Sequence, residues 1–311
     1  MEYFLPPNKD RKKPAMTIEQ DSEGRDVLAE FFHNTQRFVS YCVSTLPSKS
    51  WEKQGPASIQ AQDTHWAGDT DWSETIKLAL NGWRNGWQSV DAQMHTIKDE
   101  LRPIRPRVTI KRALFGHRPD VPRYCSGHPM NMRRSHRVRV NAPCVRLLIS
   151  IGALSNVEPE AYINRGAAVC AYIDAIENAG ISTEIVATSR AKGNSRDIVE
   201  CRIMLKQAGQ PLDIDGVAFF LGHPAVLRRL VFRWREREAF YKSFCHGYGR
   251  SQNPEEEEGV LMMPTLRAKD NDISAQEHYN NIKNAIEEQQ TLYNPNSVSY
   301  THLRAHETVL D

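Results

Sequence analysis

The residues best suited to chemistry lie in one basic stretch. Residues 102–146 hold twelve Lys/Arg and a single acid, Asp120. Arg133, Arg134, Arg137 and Arg139 fall within seven positions of each other. Guanidinium groups at that density can hold phosphate oxygens, and the attraction is electrostatic and independent of base sequence. The same residues also read as a solvated surface, or as partners for the acidic run at residues 255–258.

Other candidate chemistries are weaker. His117, His128 and His136 with Cys125 offer nitrogen and sulfur ligands of the kind zinc takes, but their spacing matches no standard zinc site. Cys245 and His246 are adjacent, whereas a nucleophile and its base normally meet across the fold. Asp213 and Asp215 read as acids at a helix start rather than a catalytic pair. There is no Walker loop, no GxGxxG after a strand, no HExxH and no GxSxG. The leading expectation is therefore a non-enzymatic chain with no catalytic residue, no cofactor and no metal, and a metal-dependent enzyme is the third reading.

The elements that position these residues follow from periodicity. Residues 145–151 form a continuous apolar run, as in a strand buried on both faces. Residues 158–178 carry Ala161, Ile163, Ala167, Ala168, Ala171, Ile173 and Ile176 at helical spacing, and Gly180 follows as a C-terminal cap. Residues 182–188 read as a second strand, which completes a βαβ crossover. Residues 197–205 alternate after a tight polar turn and should pair antiparallel at the sheet edge. Residues 212–221 and 225–238 read as helices. In the second, Val226, Leu227, Leu230, Val231 and Trp234 make the apolar face, and Arg228, Arg229, Arg233, Arg235 and Arg237 the polar one. Residues 260–263 are a short strand candidate, and residues 275–290 a last amphipathic helix.

Upstream, residues 1–24 read as a disordered lead-in within which Met16 is an alternative start. Residues 25–101 form a helical, Trp-rich region, with one helix over 25–46, one capped by Thr70 or Asp71 and closed by Asn81-Gly82, and one over 87–101. Trp83 is expected to fold back on the last turn of the middle helix. Trp66, Trp72, Trp83 and Trp87 read as an aromatic mini-core between two helices or as a stacking platform for bases or sugars. Residues 102–144 form a basic, Pro-rich connector with short strands around Val108, Ile110, Val138 and Val140, and residues 145–290 an α/β module. The six cysteines contain no CxxC pair and read as reduced thiols. No run approaches the roughly 20 apolar residues of a membrane span.

The order β-α-β-β-α-α-β-α resembles von Willebrand factor A-like domains. The resemblance implies a Rossmann-like sheet flanked by helices. In those domains an Asp-x-Ser-x-Ser loop after the first strand helps to bind a metal. Here the loop runs from Ile149 to Ser155, with Ser150 and Gly152 where an acid is wanted. The resemblance therefore implies a degenerate, metal-free site at Ser150, Gly152 and Ser155, with Asp213 or Asp215 as the remaining acids.

A second resemblance is to uncharacterised proteins of phages and prophages. It rests on Trp66-Ala67-Gly68, Ala79-Leu80-Asn81-Gly82-Trp83, Val121-Pro122, Gly127-His128-Pro129, Met132, the run from Ile163 to Ala168 and the run from His223 to Arg229. It implies a viral or mobile-element setting, in the bacterial cytoplasm or the virion, without implying an activity. Residues 298–311 resemble a translated sequencing adapter and are set aside, along with His302 and His306. The functional expectation is a protein-interaction or assembly module that binds a phage or host protein. The alternative is a nucleic-acid-associated protein using residues 102–146, and no membrane partner is expected.

Overall fold

The computed structural model describes residues 16–44, 58, 64–84, 108–116, 118–137, 144–178, 181–192, 198–236, 248 and 250–293. The chain is an α/β protein with a Rossmann-like sheet flanked by helices, as its strand and helix signals imply. β6 (Cys144–Ser150) leads through α4 (Pro159–Asn178) to β7 (Ser182–Lys192), and the two strands pair in parallel. β10 (Val260–Met263) lies parallel on the other side of β6. β8 (Ile198–Lys206) returns antiparallel to β7. Leu147, Ile149, Ile185, Ala187, Cys201 and Ile203 carry one face of the sheet into the main core.

β8 is not an edge strand, contrary to the sequence expectation. β2 (Asp26–Phe32) pairs parallel with it, and β1 (Met16–Gln20) pairs antiparallel with β2. Two further corrections follow. Residues 25–46 are not one helix but β2 followed by α1 (Thr35–Ser44), where Asn34 Oδ1 accepts from Arg37 N–H. The expected disorder of residues 1–24 also fails for residues 16–24. The turn after β1 is fixed by Asp21, whose carboxylate accepts from the backbone of Glu23 and Arg25 and from the guanidinium groups of Arg25 and Arg190.

α2 (Trp72–Asn81) is capped by Asp71, which accepts from Glu74 N–H, and ends at Gly82 in the left-handed region. Trp66, Trp72 and Trp83 pack against the main core rather than forming a mini-core of their own; Trp87 and the helix expected over 87–101 lie outside the described residues. Trp83 does not fold back on its own helix. Its backbone N–H donates to Asp215 O, and its ring meets His223 edge-on at 4.7 Å.

α5 (Ile214–Gly222) packs on α4 so closely that a Cβ at Gly166 would stand 2.2 Å from Gly222 Cα. The chain then forms a π-helical turn (Val226–Val231) and the short α6 (Phe232–Arg235). Here the expected polar face is overturned, because Arg228, Arg229, Arg233 and Arg235 are all buried. Arg228 donates to the carbonyls of Trp66 and Val157 and lies over the rings of Trp66 and Tyr162. Arg229 donates to the carbonyls of Ser58 and Thr70, and Arg233 stacks on Trp72. Arg235 donates to Ser189 Oγ at 2.6 Å. A guanidinium can be buried when carbonyls and aromatic faces replace its water. Burial pushes the Arg235 pKa down to about 10, still cationic at neutral pH. α7 (Ala275–Tyr293) covers α4, with Tyr279 against Tyr172.

Candidate functional site

The basic stretch folds into a separate three-stranded antiparallel ribbon. β3 (Val108–Ala113) and β4 (Arg118–Pro119) both pair with β5 (Met132–Arg137), and α3 (Val121–Cys125) lies between β4 and β5 in the chain. Alternation gives each residue position a face. Arg112, Arg118 and Arg133 are in register, so these three positions share a face. Of the four arginines singled out in the sequence, Arg133 stands on this face; the side chains of Arg134 and Arg137, and the whole of Arg139, lie outside the described residues.

Asp120 anchors the shared face. It is buried, with Arg112 Nε at 3.6 Å and Arg133 at 3.5 Å from its carboxylate. Both arginines remain about half exposed, so each pair is a surface-type ion pair worth at most about 1 kcal/mol. One carboxylate cannot neutralise the seven Lys/Arg of residues 108–137. Two acids of the acidic run are held elsewhere. Glu255 accepts from Arg190 and from Ser22 N–H, and Glu257 from Arg202, all on the main sheet.

Sequence reading missed the apolar part of this surface. Leu114, Phe115, Val121, Tyr124 and Met130 are exposed in the same segment, residues 108–137. The signal was present as Leu114-Phe115-Gly116 at a turn between two strands. Of the zinc candidates, the side chains of His117 and His136 lie outside the described residues. His128 Nδ1 accepts from Met130 N–H and its Nε2 lies 3.4 Å from Arg123, and no group of three metal-ligating side chains occurs among the described residues. His117 and the pair Cys245-His246 lie outside the described residues.

The carboxyl end of β6 was the other expected site. Ser150 is buried and bonded to Thr265 Oγ1 at 2.9 Å, and its Oγ accepts from Gly152 N–H. Ser155 is exposed. Arg165 from α4 donates to Ser150 O and Pro264 O, tying together the ends of β6 and β10. Burial pushes its pKa down to about 10. Asp213 and Asp215 do not join these residues. β8 runs back to the amino end of β7, where Gly209 N–H donates to Ser182 Oγ, so α5 starts at the opposite end of the sheet. There Asp213 accepts from Gly216 N–H as a helix cap, and Asp215 faces Arg84.

A family model described as a domain of unknown function (DUF7192) matches residues 13–290. The chain belongs to this family. The match takes in both the DUF7192 sheet and the basic ribbon. Neither the curated proteins nor the solved structures gave a match.

Proposed function

We propose that this DUF7192 chain is a non-enzymatic binding protein whose partner is a nucleic acid. The observation that carries this is the ribbon and α3, whose residues 108–137 hold seven Lys/Arg against Asp120, with Phe115 and Tyr124 exposed in the same segment. Cations interleaved with aromatic faces can engage both the phosphates and the bases of a strand. On this reading the α/β module is a scaffold. Its order of β6, α4, β7, β8, α5, β10 and α7 supports a von Willebrand A-like assignment, and the motifs shared with phage and prophage proteins support a mobile-element setting. A phage or host protein is the second reading, favoured by the exposed Leu114, Val121 and Met130.

Fluorescence anisotropy with labelled single-stranded and duplex oligonucleotides over a salt series tests this. Affinity should fall steeply with salt, and Arg118→Ala and Arg133→Ala should each flatten the logarithmic slope by about 0.7–0.9. Tyr124→Ala should weaken single-strand binding more than duplex binding. Absence of binding at low salt, or a slope unchanged by the arginine variants, would favour a protein partner instead.

A further inference from the structure

A cavity of about 500 Å³ opens at the carboxyl end of β7, beside Arg190. The segments after β6 and β10 are tied by Leu154 N–H to Leu266 O and Leu266 N–H to Gly152 O, which fixes the start of the wall at Arg267. β9 (Ser251–Gln252), on the end of β7, and the β1–β2 turn complete the wall.

Some lining groups are already committed. Arg190, 4% exposed in its side chain, pairs with Asp21 at 2.7 Å and Glu255 at 3.4 Å. Arg25 pairs with Asp21 and Glu23. Others are not. Ser251 is 7% exposed, and its Oγ has no hydrogen-bond partner. A buried hydroxyl without a partner is uncommon and marks a place for an incoming polar atom. Arg267 and Glu256 are exposed at the same cavity, and neither forms an ion pair within 4.0 Å among the described residues.

The charges of the lining balance. A purely anionic ligand would stand against Glu23, Glu255 and Glu256, and a purely cationic one against Arg25, Arg190 and Arg267. A molecule carrying both charges suits both sets. We propose that this cavity binds a small dipolar metabolite of the α-amino-acid class, with its carboxylate toward Arg267 and Ser251 Oγ and its ammonium group toward Glu256. The site is separate from the ribbon and does not depend on the nucleic-acid reading.

The test is calorimetric titration of the full chain with the free proteinogenic amino acids, and with inorganic phosphate and spermidine as single-sign probes. At least one amino acid should bind saturably. Ser251→Val, Arg267→Ala and Glu256→Gln should each weaken it about tenfold or more, and Arg133→Ala should leave it unchanged. Arg267 and Glu256 are surface residues, so their variants remain informative if Ser251→Val fails to fold. Absence of amino-acid binding, binding of phosphate or spermidine alone, or binding indifferent to Arg267→Ala and Glu256→Gln would each overturn the proposal.

Discussion

Acid should weaken this fold through one histidine. His223 is buried between Trp83 and Phe219, and its Nδ1 accepts from Ala225 N–H at 3.1 Å. Protonation would place a charge in that apolar setting and replace the acceptor lone pair with a proton. Burial accordingly pushes its pKa down from 6.5 to about 4. The unfolded chain binds this proton more readily than the folded chain, so folding stability rises with pH across the interval. The contribution is fully present above pH 6.5 and is lost as pH falls to about 4. At about 1.4 kcal/mol per pH unit, the loss amounts to about 3 kcal/mol.

The assay is urea unfolding of the wild type and of His223→Gln between pH 7 and pH 4, with stability taken from the midpoint and slope. Glutamine removes the titration and retains an acceptor for Ala225 N–H. The wild type should lose about 3 kcal/mol more than the variant over this range. His33 and His278, also lowered mainly by burial, act in the same direction, and Glu236, raised mainly by burial, acts in the opposite one. All three are present in both proteins and cancel in the difference. Parallel stability curves for the two proteins would refute the assignment to His223.

Two further predictions concern packing and thiols. Helix propensity favours Gly166→Ala by about 1 kcal/mol, but the added methyl would meet the Gly222 backbone at 2.2 Å. Overpacking costs about 1–3 kcal/mol, so a net loss is expected in urea unfolding. Gly222→Ala, whose Cβ would stand at 3.4 Å from Gly166 Cα, should stay within about 1 kcal/mol of the wild type. In a thiol-reagent time course with mapping of the labelled peptides, exposed Cys125 should label rapidly. Cys170, buried and pushed up to about 12 by desolvation, should label only on unfolding.

Much of the module was legible locally. β6, β7, β10 and α4 each announce themselves by period and composition, and the Asp71 and Gly82 caps depend on neighbours within four residues. β2 was not legible, because Val27, Leu28, Phe31 and Phe32 satisfy both a helical and a strand reading. Its partner β8 lies about 170 residues away in the chain and selects the strand.

The candidate ribbon shows the same division. Its excess of cations is plain in the sequence. Strand register decides that Arg112, Arg118 and Arg133 share a face, and the main sheet takes up Glu255 and Glu257. Composition and period alone determined the α/β class, the order of its main elements and the concentration of positive charge. Tertiary structure alone decided that Arg228, Arg229, Arg233 and Arg235 are interior residues. The carbonyls and rings that replace their water come from segments distant in the chain, and no local pattern carries that information.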